Sequence, residues 1–235
     1  MSVAVIPGDP PIEVHLKRSA RARRISLKVG RLDGRVTLSM PARGSLDEAM
    51  SFARSKEDWI RNVLPKAAPR DLALQFGGTI TALGEPLVLT HCSKRGVHRD
   101  GAELLIGGDP ARLGPQLAAY LKVVAHEALL EASDRYARRI GRQINGITLR
   151  DTKSRWGSCS PDGKLMYSWR LAMAPLPVLD YVAAHEVAHL AEMNHGPQFW
   201  AVVREICPDF NRHRAWLKRD GNRLQMIDFG TRDRG

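Results

Sequence analysis

The sequence predicts an α+β fold, because segments with strand patterns and segments with helix patterns occupy separate blocks of the chain. Short stretches in which polar and apolar residues alternate lie mainly before residue 110, whereas the longest helical patterns follow it. The predicted order of elements is β, α, β, α, β-hairpin, α, α. We therefore expect a β-rich N-terminal portion, residues 1–110, and a second domain, residues 111–235.

The N-terminal portion contains a predicted hairpin. Residues 24–29 and 35–40 alternate polar and apolar side chains, and a glycine-containing turn lies between them. Ser45 stands three residues before a glutamate, which predicts a helix N-terminus, and apolar spacing continues this helix to Pro65. Residues 77–106 then indicate short strands separated by turn residues.

The second domain is predicted to combine helices with a further hairpin. A long amphipathic helix spans residues 115–139 and ends before a glycine. The strands of the hairpin cover residues 147–158 and 164–170. Two more helices follow, one over residues 178–193 and one that begins near Gln198.

The composition favours a soluble globular protein. Of the 235 residues, 43% are hydrophobic and 26% are charged, and no apolar run approaches the roughly 20 residues of a membrane span. The first residues lack a basic stretch and are interrupted by prolines, so we expect no signal peptide. The three cysteines are widely spaced and odd in number, which favours a reduced, cytoplasmic environment over a disulfide framework.

Positive charge is concentrated in two segments. The formal net charge is +11, and basic residues crowd residues 17–35 and residues 204–223. Such clusters suit a polyanion, so nucleic acid is a candidate partner, although no DNA- or RNA-reading motif accompanies the charge.

Residues 185–189 read His-Glu-Val-Ala-His and are the most informative part of the sequence. On a helix, His185 and His189 share one face, so both imidazoles can bind one metal ion. Glu186 is then held beside the metal, where it can take a proton from a bound water. This pattern predicts a Zn²⁺-dependent metallopeptidase that acts on a protein or peptide substrate.

A catalytic zinc site needs a third protein ligand, because it takes three side chains and leaves one position for water. His195 is the best candidate, since the chain turns there and can fold back towards the metal. Its interval matches the metzincin pattern HExxHxxGxxH, but Glu192 occupies the position of the glycine. Glu205 and His213 stay open as alternatives for the third ligand.

The hairpin before the motif helix is a candidate substrate platform. An extended peptide can add to a sheet edge, which either residues 154–159 or residues 165–170 would form. The residues that we expect to contact the substrate are Arg155, Trp156, Gly157 and Tyr167. The donor that stabilises the developing oxyanion stays open among Tyr167, Arg170 and His213.

Several motifs resemble those of the YgjP-like metallopeptidases, a family related to the SprT-like zinc peptidases. The central ones are Lys-Ser-Arg-Trp-Gly-Ser-Cys at residues 153–159, His-Glu-Val-Ala-His-Leu at residues 185–190 and Asn-His-Gly-Pro-Gln-Phe-Trp at residues 194–200. Shorter similarities near both ends extend the resemblance from about Arg18 to Arg219.

The resemblance implies a zincin-like catalytic domain in residues 111–235, with His185, His189 and His195 as zinc ligands and Glu186 as the catalyst. Some SprT-like relatives act on proteins bound to DNA, so a DNA-associated or unfolded protein is a candidate substrate. Two other hypotheses stay open: a nucleic-acid-binding accessory protein with a zinc site and no peptidase activity, and a hydrolase of non-peptide amides. Glu186 argues against the accessory role, because a structural metal site needs no base.

Overall fold

The structure of the chain is a computed structural model that describes residues 2–30, 34–64 and 74–231. Within these ranges it contains α-helices and three mixed β-sheets, so the α+β prediction is confirmed. The chain divides into two compact units, Met1–Arg70 and Asp71–Gly235. No helix in the described ranges is long and apolar enough to cross a lipid bilayer.

The N-terminal unit is a four-stranded sheet followed by two helices. Its elements are β1 (Ser2–Ile6), β2 (Ile12–Ser19), β3 (Ser26–Val29), β4 (Val36–Pro41), α1 (Leu46–Ser55) and α2 (Glu57–Val63). The strand order is β1-β2-β4-β3, and β3 and β4 form the predicted antiparallel pair, although residues 31–33 of its turn lie outside the described ranges. Ser45 caps α1, because its side-chain oxygen accepts a hydrogen bond from the backbone amide of Glu48 at 3.4 Å. The single helix predicted to Pro65 is wrong, because Lys56 leaves helical geometry (φ −109°, ψ 13°) and separates α1 from α2.

The second unit begins with another four-stranded sheet. Its strands are β5 (Thr79–Ala82), β6 (Glu85–Cys92), β7 (Gly96–Asp100) and β8 (Glu103–Gly107), in the order β5-β6-β8-β7, and helix α3 (Leu113–Arg139) follows. Leu104 and Ile106 of β8 belong to the same buried core as Leu117 and Leu121 of α3. The boundary between the compact units therefore falls at residues 70 and 71 rather than at the predicted 110 and 111, because the apolar face of this sheet is buried in the core that contains α3.

The rest of the second unit carries the sequence motifs. Its elements are β9 (Ile147–Arg150), β10 (Gly157–Cys159), β11 (Leu165–Ser168), α4 (Leu176–Ala188), α5 (Pro197–Ile206) and α6 (Phe210–Met226). The sheet order is β10-β11-β9, with β11 in the middle and β10 at an edge. The single strand predicted over residues 147–158 is wrong: it forms β9 and β10, and the intervening loop contains Asp151, which pairs with Arg170.

Candidate metal centre

Three imidazoles converge at the C-terminal end of α4. His185 lies in the last turn of this helix, His189 follows its final residue, and His195 lies in the turn that leads into α5. Their candidate ligand atoms all lie within 4.8 Å of one another, and Nε2 of His185 is 3.0 Å from Nε2 of His195. The sequence predicted these three residues as a set, and the structure brings them together. Neither Glu205 nor His213 belongs to this cluster, which is the group of side chains among the described residues that could hold a metal ion.

The donor set of the cluster fits a divalent metal ion. In a tetrahedral zinc site with Zn–N distances of about 2.0–2.1 Å, the ligand nitrogens are roughly 3.3 Å apart, close to the spacing of the His185 and His195 nitrogens. Nδ1 of His189 lies 3.1 Å from the carbonyl oxygen of Glu192. A proton on that Nδ1 would be donated to the carbonyl and leave Nε2 free for a metal.

Burial keeps two of the imidazoles neutral, which is the state that binds metal. Burial and, less strongly, the neighbouring His189 and His195 lower the pKa of His185 to about 3. Burial also lowers the pKa of His189. His195 is exposed, so the cluster opens to solvent on its side. Nδ1 of His185 is buried and has no hydrogen-bond partner among the described residues.

A single aromatic side chain supports all three rings. Phe199 of α5 is fully buried, and its ring centroid lies 4.9, 4.5 and 4.7 Å from those of His185, His189 and His195. The ring fixes the imidazoles from behind without offering a competing polar group. The sequence marked Phe199 only as part of a helix and a family motif, because the spacing of residues along the chain does not show that one ring contacts all three imidazoles.

Glu186 is buried beside the cluster and is 6% exposed. Burial raises the pKa of its carboxyl to about 8, while the nearby Arg155 guanidinium opposes that shift. A bound divalent cation would favour the ionised form in the same way as Arg155 does. No hydrogen bond to the carboxyl is formed by the residues that the structure describes, so packing determines its position, chiefly against Gly157 of β10.

The other residues predicted to contact substrate occupy different environments. Arg155 is exposed close to Glu186, so its contact with substrate stays a prediction. Trp156 is half-buried, and its ring packs against Gly221 of α6. The prediction for Tyr167 needs correction, because its side chain is fully buried and its hydroxyl lies 3.0 Å from that of Ser133. A side chain in that position cannot reach a substrate or an oxyanion.

Arg170 is also unavailable as an oxyanion donor. It is 7% exposed, and its guanidinium binds the Asp151 carboxylate and the carbonyl oxygens of Leu224 and Ile227. None of these partners belongs to the histidine cluster. Of the three candidates, His213 stays open: its ring lies 6.5 Å from that of Tyr181, which is 6.0 Å from that of His185.

The fold and this site together define an α+β protein with a three-histidine cluster beside a buried glutamate. The family model described as "YgjP-like, metallopeptidase domain" matches residues 23–220, and the chain belongs to this metallopeptidase family, as its motifs predicted. A solved structure that matches is the "Crystal structure of the metallopeptidase zymogen of Pyrococcus abyssi abylysin", at 21% identity over 41% of this chain and 95% of that chain, with a TM-score of 0.36. A search of curated proteins finds no match.

Proposed function

We propose that this protein is a zinc-dependent peptidase with His185, His189 and His195 as metal ligands and Glu186 as the general base. The observation that carries the proposal is the convergence of three imidazoles at the end of α4, with a buried carboxyl on the same helix turn. Zinc held by three protein side chains lowers the pKa of a bound water towards about 7 and polarises a carbonyl group.

Glu186 would move the proton during hydrolysis. Its carboxylate takes a proton from the attacking water as the water oxygen bonds to the peptide carbon, and it then gives this proton to the amine as the C–N bond breaks. The environment of Glu186 suits both steps, because burial favours the protonated form and Arg155 favours the ionised form.

The edge strand β10 is the proposed substrate platform. Among the described residues its pairing is with β11 on one side, so the backbone on its other side can pair with an extended peptide. Of the two segments considered from the sequence, residues 154–159 contain this edge strand, whereas β11 lies in the middle of its sheet. A platform of backbone groups accepts many sequences, which suits a protein or peptide substrate.

Substitution of Glu186 by glutamine tests this function. We expect the zinc-loaded Glu186→Gln variant to cleave an unfolded protein about 10²–10⁴-fold more slowly than the wild type, because it cannot carry the proton. Zinc stoichiometry, measured by mass spectrometry under native conditions, should stay unchanged. The matched control is Glu192→Gln, which changes an exposed carboxyl near the same cluster. Equal cleavage by wild type and Glu186→Gln, or none by zinc-loaded wild type, would contradict the proposal.

A nucleic-acid partner stays a prediction from the basic segments. In residues 17–35, Arg18 is already engaged, since it donates to the carbonyl oxygens of Ala42 and Gly44 at 2.9 Å. Other basic residues of this segment, such as Lys17 and Lys28, are exposed. If the wild type binds DNA through phosphates, its affinity should fall steeply with salt, and DNA should speed cleavage of a DNA-bound protein. Absence of binding at low salt would remove nucleic acid as a partner.

A further inference from the structure

The Glu186 side chain passes directly over the α-carbon of Gly157. A β-carbon built on Gly157 would lie 2.6 Å from Cγ, 2.6 Å from Oε1 and 2.8 Å from Cδ of Glu186. Carbon atoms in favourable contact are about 3.5–4.0 Å apart, so any side chain at this position would displace the carboxyl by about 1 Å.

The strand under Glu186 cannot easily move away. Gly157 pairs with Tyr167 of the central strand β11, and Tyr167 is fully buried. The preceding carbonyl, that of Trp156, accepts the Ser168 amide at 2.8 Å. These contacts fix the backbone at Gly157, whereas the end of the Glu186 side chain is free of hydrogen bonds to described residues. A clash at this point would therefore be relieved by movement of the carboxyl rather than of the strand.

We propose that Gly157 is a positioning residue for catalysis, and that the absence of its side chain lets the Glu186 carboxyl lie where it can serve the metal-bound site. Gly157 acts through Glu186 and needs no contact of its own with the substrate, which gives it a role different from the one expected from the sequence. The inference rests on the proposed function for its consequence in catalysis, but the steric contact can be tested without it.

The structural test is a crystal structure of the metal-free Gly157→Ala variant beside that of the wild type. We expect the three imidazoles and the backbone of β10 to stay in place while the Glu186 carboxyl moves by about 1 Å or more. The matched control is Ser158→Ala, which changes the next residue of the same strand, on its opposite face. An unmoved carboxyl in Gly157→Ala would overturn the proposal, whether or not the protein proves to be a peptidase.

If Gly157→Ala folds poorly, the steric contact can be tested through the stability of a double variant. In a Glu186→Ala background the clashing atoms are gone, so adding Gly157→Ala should leave the midpoint of urea unfolding unchanged or raise it slightly, since alanine restricts the unfolded chain more than glycine does. A further loss of stability in that background would show that the backbone itself requires glycine, and would overturn the steric argument.

Kinetics then test the catalytic consequence. A misplacement of about 1 Å can lower a rate about 10²-fold, so Gly157→Ala should lower kcat by about that factor, while KM and zinc affinity change by less than about threefold. In the Glu186→Gln background, Gly157→Ala should cause no additional loss, because both changes disable one group. Additive losses would mean that Gly157 acts independently of Glu186. A wild type that binds zinc but cleaves nothing would instead refute the proposed function and leave the crystallographic test standing.

Discussion

Two polar clusters of the second unit differ in whether their polar groups have hydrogen-bond partners within the protein. Around Arg170, the guanidinium binds Asp151 and two backbone carbonyls, and it lies 4.9 Å from the ring centroid of Trp169. Around the histidine cluster, His185 keeps a buried nitrogen without a partner in the described ranges, and the Glu186 carboxyl has no hydrogen bond from a described residue.

The difference separates a structural cluster from the candidate functional site. Arg170 satisfies its donors within the protein and joins the loop after β9 to the end of α6, so it leaves nothing for a ligand. In the histidine cluster the imidazole nitrogens face one another, and the Glu186 carboxyl has no hydrogen bond from a described residue, so these groups stay available to a metal ion and a substrate. Both clusters contain buried titratable groups, so burial of such groups does not by itself distinguish a structural cluster from a candidate site.

The largest effect on stability should follow loss of the Arg170 side chain. We expect Arg170→Ala to lower the free energy of unfolding by about 3–5 kcal/mol, because Asp151 would be left buried without its partner. Urea denaturation measures this, with the exposed Arg155→Ala as the matched control, expected to change stability by less than about 0.5 kcal/mol. A small loss in Arg170→Ala would mean that water replaces the guanidinium and that the cluster is not structural.

Loss of one of the proposed metal ligands should weaken zinc binding. We expect His185→Ala to weaken zinc binding by more than about a hundredfold, since even changes next to a ligand cost about 10–100-fold. Competition with a chromophoric chelator gives the affinity. The control is His126→Ala on α3, whose histidine is exposed and outside the cluster. Equal affinities in wild type and His185→Ala would exclude the proposed ligand set.

Zinc itself should stabilise the wild type. At a free zinc concentration of 100 times Kd, binding to the folded state adds about 2.7 kcal/mol to the free energy of unfolding, provided the unfolded chain binds none. Thermal unfolding with zinc and with a chelator measures the gain. The same gain should persist in Glu186→Gln and vanish in His185→Ala. A gain that survives in His185→Ala would place the stabilising metal elsewhere.

The smallest effect should come from the Tyr167 hydroxyl. Tyr167→Phe removes its bond to Ser133, so we expect a loss of about 1 kcal/mol of stability and unchanged zinc affinity and cleavage. The double variant with Ser133→Ala should lose less than the sum of the two single losses, since no buried hydroxyl is then left unpaired. If a stably folded Tyr167→Phe variant cleaved substrate more slowly than the wild type, Tyr167 would again be a candidate catalytic residue.

Local patterns predicted elements well where their periodicity was clear. The hairpin β3–β4, the strands β5–β8 and the helix α3 all follow patterns that the sequence shows. The strand β2 was not predicted, although Ile12, Val14 and Leu16 alternate into the core, because prolines lie directly before it and basic residues occupy its end. Helix α6 was missed because many basic residues obscure its sparse apolar positions. The two four-stranded sheets share one strand order without any repeat visible in the sequence.

The sequence by itself predicted that His185 and His189 face one site, because a spacing of four on a helix is a local property that fixes which side chains share a face. It left the third ligand open among His195, Glu205 and His213. Only the tertiary structure decided which of the other residues lie at the site and which are buried elsewhere. It buried Tyr167 and Arg170 in the interior, placed Phe199 behind three imidazoles and brought Gly157 under Glu186. Apart from the contact of Phe199 with His195, these contacts join residues that lie far apart in the chain, and such contacts depend on how the elements pack rather than on any local pattern.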